Sequence, residues 1–247
     1  MATVILVRHG RSTANVSRVL AGRQAGVRLD EEGERQARAA AERIAAVPLV
    51  AVVTSPLERC VQTAELVAGA QPGAAAAAAR LRVEERLTEC DYGEWQGRAI
   101  SELAGEDLWG TVQRQPSAAI FPGGESLAAM SARGVAAVRE LDAELEAAHG
   151  PHAVWVAVSH GDVIKAVLAD ALGTHLDHFQ RIVADPASVS VVRYTTGRPF
   201  VLGLNTHAGD LSWLAQAPAE DVPAGDAVPG GGSGAGAGPD DPAGPRP

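Results

Sequence analysis

The chain has 247 residues, 46% of them hydrophobic and 21% charged, with a formal net charge of −9 and two cysteines. That length suits one sizeable core, and the acidic balance argues against a nucleic-acid partner, whose phosphate backbone is held by clustered positive charge. No apolar run approaches the roughly eighteen residues of a membrane helix, residues 1–10 lack the features of a signal peptide, and Cys60 and Cys90 make neither a disulfide framework nor a CxxC pair, so a cytoplasmic protein is the default expectation.

Residues 3–8 read as a strand buried on both faces that ends in Arg8, His9 and Gly10. Ala37, Ala41, Ile44 and Ala45 then line one face of a helix. Residues 50–54 read as a second buried strand. The following SPLE at 55–58 matches a capping box, with Ser55 as N-cap and Pro56 at the first helical position. It should open a helix lined by Leu57, Val61, Ala64 and Ala68. The alanine run 74–79, after Pro72 and Gly73, reads as a surface connection. FPGGES at 121–126 should cap a long helix marked by Leu127, Met130, Gly134, Val138, Leu141 and Leu145, stopped by Gly150 and Pro151.

Residues 153–158 read as a third buried strand, and Val163, Ile164, Val167, Leu168, Ala171 and Leu172 mark a helix stopped by Gly173. Residues 188–195 and 199–206 make a closing pair of strands around Thr196 and Gly197. The alternation predicts an α/β domain over residues 1–214: a three-layer α/β/α sandwich whose mostly parallel sheet carries helices on both faces. Residues 215–247 lack apolar periodicity, are dense in Gly, Pro and Ala, and carry Glu220, Asp221, Asp226, Asp240 and Asp241 against Arg246. They read as a disordered acidic tail with no catalytic role.

In sheets of this kind ligands collect beyond the carboxyl ends of the strands. Three junctions become candidates: VRHG at 7–10, TSPLER at 54–59 and VSHGD at 158–162. Arg59, in the first turn of a helix, suits an anion. His9 and His160 each end a buried strand and precede a glycine, which allows a close backbone approach to a ligand. Paired histidines also suit a metal, but no HExxH or Cys/His cluster supplies the remaining ligands. His149, His152, His175, His178 and His207 fall in helix-end or loop contexts and are read as structural.

The motifs VRHGRSTAN, SPLERCVQTA, RLTECDYGEWQG, GGES and VSHGD, in that order and at these spacings, resemble the histidine phosphatase superfamily. That group includes the cofactor-dependent phosphoglycerate mutases and many small-molecule phosphatases, and the resemblance spans residues 3–206. It implies a phosphoglycerate mutase-like fold in which His9 is the nucleophile that takes a phosphoryl group. Arg8, Arg59 and His160 would surround the phosphoryl oxygens with Gly161 beside them, Asn15 as a further donor, and Gly10 leaving them room. Glu89 would be the general acid/base, with a pKa raised by desolvation or a neighbouring carboxylate. Asp91 and Glu94 are nearby carboxylates that the sequence alone does not separate from it.

Gly22 and Arg23 would touch the non-transferred part of the substrate, Glu125 and Ser126 the outer pocket. Trp109 and Phe121 would form apolar walls, with Arg114 as a second anion contact. No metal and no cofactor is implied. The expected partner is a small phosphorylated metabolite, with no nucleic acid and no membrane. The oligomeric state is open, a homodimer included. The segment between Gly97 and the long helix is short for a mutase lid, and Ala14 stands where mutases carry an aromatic. Both features favour a phosphatase, with a phosphomutase as the alternative and a non-catalytic phosphoryl-binding protein behind it.

Overall fold

In the first strand, β1 (Thr3–Arg8), Val4 and Leu6 pack into one apolar cluster and Ile5 and Val7 into another, all four being buried. A strand buries alternate side chains on both faces only when helices cover both. The computed structural model describes residues 2–73, 81–207 and 229–230. After β1 come α1 (Thr13–Val16), α2 (Glu31–Ile44), β2 (Ala51–Thr54), α3 (Glu58–Gly69), β3 (Leu81–Val83), α4 (Ile100–Leu103) and α5 (Asp107–Arg114). The long α6 (Leu127–His149) leads to β4 (Val154–Ser159), α7 (Gly161–Ala171), β5 (Val189–Arg193) and β6 (Phe200–Thr206).

The six strands pair in the order β3-β2-β4-β1-β5-β6. β1 to β4 run parallel, while β5 pairs antiparallel with both β1 and β6. One cluster joins Ile5, Val7, Val156 and Val158 of the sheet to Ala41 and Ile44 of α2 and Ala64 and Val67 of α3. The other joins Val4, Leu6, Trp155 and Ala157 to Leu127, Met130, Val138 and Leu141 of α6 and to Val163, Val167 and Leu168 of α7. The expected three-layer α/β/α sandwich with a mostly parallel sheet is the observed one. Each fully buried aliphatic side chain contributes about 1.5–3 kcal/mol, so both helical layers are held mainly by these contacts. The expected surface connection at 74–79 lies outside the described residues, as does the tail beyond His207 except for Pro229 and Gly230.

The opening of α3 departs from expectation. Its N-cap is Leu57, with no side-chain cap, and the helix starts at Glu58. Ser55 is not the cap: its hydroxyl lies 2.8 Å from His160 Nε2, a stronger partner than the Leu57 N–H at 3.4 Å. The reason for Gly10 also changes. A Cβ there would run into the Gly33 backbone, and its N–H donates to Thr63 Oγ1 at 3.2 Å rather than to a ligand. Gly33 in turn faces the Arg11 carbonyl at a separation that admits no Cβ. The loop after His9 is thus clamped to the first turn of α2, where Asp30 caps Gly33 N–H at 2.7 Å and pairs with Arg11 Nε at 2.8 Å.

Gly33→Ala should therefore destabilise the protein by about 1–3 kcal/mol through overpacking, read as a lower urea midpoint at unchanged m-value, and should slow turnover by displacing the loop that carries His9.

Candidate active site

Three strand ends deliver the polar residues. β1 ends in Arg8 and His9, the turn after β2 leads to Arg59 in the first turn of α3, and β4 ends before His160. His9 N–H donates to the Ser159 carbonyl at 3.0 Å, which ties the first junction to the third. Arg8, His9, Arg59 and His160 are all buried, as is Glu89, which arrives on the loop before Tyr92.

The tautomer of His9 follows from its neighbours. Nδ1 lies 2.8 Å from the Gly10 carbonyl, which can only accept, so Nδ1 carries the proton. Nε2 then bears the lone pair, and Arg59 Nε donates to it at 3.3 Å. Arg59 Nη2 donates to the Gly22 carbonyl at 2.7 Å and approaches His160 Nδ1 at 3.3 Å. With Nδ1 of His160 accepting, its Nε2 donates to Ser55 Oγ. The third Arg59 nitrogen, Nη1, is buried with no hydrogen-bond partner among the described residues. A buried guanidinium nitrogen without a partner is costly unless an anion occupies the site.

Charge and burial act together here. Desolvation, then the Arg59 and Arg8 charges, hold the His9 pKa well below its usual value. The same sequence of burial and Arg59 lowers His160. Both imidazoles are therefore neutral near neutral pH. Glu89 moves the other way, up to about 7, first through burial and then through the Asp162 charge, against Arg59 and Arg8. Its Oε1 accepts from the Cys90 N–H at 2.9 Å. The raised pKa expected from the sequence has both of the expected causes.

The neighbouring carboxylates have other work. Asp91 Oδ1 accepts from Gly93 N–H at 3.1 Å and Gln96 Nε2 at 3.2 Å, stabilising a turn, and Glu94 is exposed. Arg23 Nε donates to the Glu89 carbonyl at 2.9 Å and its Nη2 to Glu125 at 2.9 Å, so it braces the loop behind Glu89. Asn15 accepts from Ser12 N–H at 3.0 Å and Ser12 Oγ at 2.9 Å, closing the loop after His9. Gly22 serves through its carbonyl on Arg59, in a conformation of positive φ whose Cβ would strike Gln96. Gly161 is buried at the start of α7, behind His160 as N-cap.

Other expectations fail. Trp109 and Phe121 are not pocket walls but pack with Trp95 at centroid distances of 6.2 and 5.2 Å inside the core. Arg114 is exposed on α5. Glu125 is taken up by Arg23, Arg133 and the Asp91 N–H, while Ser126 caps α6 through Ala129 N–H as expected. The five remaining histidines are exposed. Among the described residues no group of three or more His, Cys, Asp and Glu side chains could hold a metal ion.

Sequence reasoning missed Arg133, Tyr92 and Asp162. Arg133 donates to the carbonyls of Arg86 at 2.7 Å, Thr88 at 2.6 Å and Glu89 at 2.9 Å, stapling the Glu89 loop to α6. Tyr92 Oη donates to Asp162 Oδ2 at 2.7 Å, and Lys165 Nζ sits 3.4 Å from Oδ1. A charged residue directly after the second His-Gly was the available signal.

The comparisons agree with this geometry. The model of the histidine phosphatase superfamily (branch 1) matches residues 4–207. The chain is 33% identical over 221 residues to phosphoserine phosphatase 1 of Hydrogenobacter thermophilus, covering 85% of this chain and 96% of that one. It is 31% identical over 226 residues to a probable phosphoglycerate mutase of Proteus mirabilis, covering 90% and 99%. Among solved structures, Bacillus stearothermophilus YhfR superposes with a TM-score of 0.71 at 28% identity over 82% of this chain and 96% of its own. A mycobacterial glucosyl-3-phosphoglycerate phosphatase does so with 0.70 at 27% over 83% and 98%. A buried neutral histidine between two arginines and a matching family model over nearly the whole fold lead to one conclusion: the chain is an enzyme of the histidine phosphatase type and belongs to branch 1 of the histidine phosphatase superfamily.

Proposed function

We propose that this enzyme hydrolyses the phosphomonoester of a small metabolite through a phosphohistidine on His9, with Glu89 as general acid and then general base. The observation that carries the reading is the pairing of a neutral His9, its Nε2 lone pair under Arg59, with a buried carboxyl that titrates near 7.

In the first half-reaction His9 Nε2 attacks phosphorus and the ester P–O bond breaks. The departing oxygen takes the Glu89 proton, a contribution of about 10²–10⁴-fold in catalysis of this kind. Arg8 and Arg59 meet the charge on the equatorial oxygens, His160 holding Arg59 through Nδ1, with the Arg59 Nη1 donor and the N-terminus of α7 at Gly161 adding to the field. The amide of Asn15 is a further donor in this reading. In the second half-reaction water attacks phosphorus, the P–N bond breaks, and the Glu89 carboxylate takes the water proton. Orthophosphate leaves, and His9 is again neutral. Splitting one displacement into two is the benefit of the covalent intermediate.

The substrate class is supported by relatives named for phosphoserine and for a phosphorylated sugar acid. A phosphomutase that returns the phosphoryl group to a bound product is the second reading, favoured by the relatives named as probable phosphoglycerate mutases. No helix among the described residues is long and apolar enough to cross a membrane, and a cytoplasmic enzyme on small metabolites fits that. It needs no metal or cofactor in this mechanism.

Orthophosphate release from a generic phosphomonoester, with acid-labile label trapped on His9, tests the reading, and label returned to the organic product instead would favour the mutase. His9→Ala should abolish both signals. Arg59→Met should lower kcat/KM by about 10²–10³-fold, the cost of one preorganised donor to developing charge. The phosphorylation rate should fall as pH rises through about 7, where Glu89 loses the proton it must donate. Glu89→Gln should remove that alkaline limb and slow the step by about 10²–10⁴-fold. Turnover should survive chelator.

A further inference from the structure

A peptide unit of the chain's own tail lies against the catalytic groups. The Gly230 carbonyl accepts from Arg8 Nη2 at 3.2 Å, and its N–H donates to Asp162 Oδ2 at 3.0 Å. Pro229 before it is buried. A Cβ built on Gly230 would lie 3.8 Å from Glu89 Oε2, 3.7 Å from Tyr92 Oη and 3.4 Å from Leu20 Cδ1. One peptide group therefore meets a guanidinium at its acceptor end and a carboxylate at its donor end, next to the acid that protonates the leaving oxygen.

Asp162 is fully buried, and its remaining partners, Tyr92 and Lys165, belong to the domain core. The Gly230 N–H adds a backbone donor to the same Oδ2 that Tyr92 Oη reaches. Its position beside Glu89 is where the alcohol half of a phosphomonoester would lie. Two polar contacts hold the Gly230 peptide among the described residues, and its φ of +77° suits glycine. A segment of the same chain binds without the entropy cost of association, so a weak fit fills the site and still yields to substrate.

We propose that Asp162, with Arg8 beside it, forms a polar subsite next to Glu89 in which the Asp162 carboxylate accepts from a hydroxyl or ammonium on the carbon next to the phosphorylated one, Arg8 donating to the oxygen of a hydroxyl, and which the Gly230 peptide fills as an intramolecular competitor. The proposal rests on the phosphatase reading for its substrate half. The tail half stands on geometry alone. An amine-bearing phosphomonoester such as phosphoserine supplies a charged donor to the Asp162 carboxylate, and the loss of one such hydrogen bond corresponds to about tenfold or more.

Three measurements on the full chain test it. Gly230→Val places a β-branched side chain at positive φ and should expel the peptide, raising kcat/KM about fivefold, chiefly through a lower KM. An unchanged or lower kcat/KM overturns the competitor. Asp162→Asn should lower kcat/KM for O-phosphoserine about tenfold relative to 3-phosphooxypropionate, which lacks only the ammonium. An equal loss on both substrates makes Asp162 purely structural and overturns the subsite. The Gly230 amide resonance in 1H–15N spectra should shift as orthophosphate is added, a readout that needs no turnover and so separates the tail contact from the reaction assigned above. A resonance that ignores saturating orthophosphate overturns the shared site.

Discussion

Arg59 is the side chain on which the site depends. It joins two strand-end junctions and a loop at once: Nε on His9 from β1, Nη2 on His160 after β4, and Nη2 again on the Gly22 carbonyl. Burying a guanidinium in a low-dielectric interior is expensive unless its donors are used. Here Arg59 is 2% exposed and Arg8 beside it is fully buried. Burial first, and then the charges of the two arginines, disfavour an imidazolium, so His9 and His160 stay unprotonated. Burial and the same charges that suit an anion thus also leave the His9 Nε2 lone pair available, as the proposed nucleophilic role requires.

Glu89 is presented in a different manner. Its loop is fixed through the backbone, with the Glu89 carbonyl taking hydrogen bonds from Arg23 and Arg133 and the flanking carbonyls of Arg86 and Thr88 taking two more from Arg133. The carboxyl group itself accepts from the Cys90 N–H. Rigid backbone support with a lightly bonded head suits the acid/base role proposed for it. Burial and the Asp162 charge push its pKa up, while Arg8 and Arg59 limit the rise. A value of about 7 is the balance of those opposing effects, and it suits the proposed role of acid and then base.

The strands β1, β2 and β4 were legible because burial on both faces forces unbroken apolar runs, and α2, α3, α6 and α7 because one face of each repeats with helical period. β3 was not, since Leu81, Arg82 and Val83 form a three-residue edge strand without full burial. Nor were α4 and α5, too short for periodicity to register. Within the site, Arg8, His9, Arg59, Glu89 and His160 come together as the motifs implied. Ser55 shows where local pattern loses to tertiary contact: SPLE matches a capping box, yet the hydroxyl is drawn to a histidine 105 positions away. Gly10 was read correctly as a close approach but to the wrong neighbour, because the Gly33 backbone that meets it lies on a different element. Arg133, Tyr92 and Asp162 act through side-chain reach across elements, which no single-segment pattern encodes.

The stretch between Gly97 and α6 bears on water access. Its aromatic residues are spent inward: Trp109 stacks on Trp95, Phe121 meets Trp95 and Tyr92 edge to face, and Leu103 and Val112 join the same core. A segment anchored in this way stiffens the frame around the Glu89 loop, because Tyr92 and Trp95 sit on the loop it packs against. A mutase must keep water from its phosphohistidine, which calls for a cover that closes on the substrate. With α4 and α5 committed to the core, the tail peptide at Gly230 lies near Glu89 and is held by hydrogen bonds to Arg8 and Asp162. Two hydrogen bonds from a tethered peptide exclude water far less completely than a packed apolar lid does. That physical difference supports the hydrolytic reading proposed above.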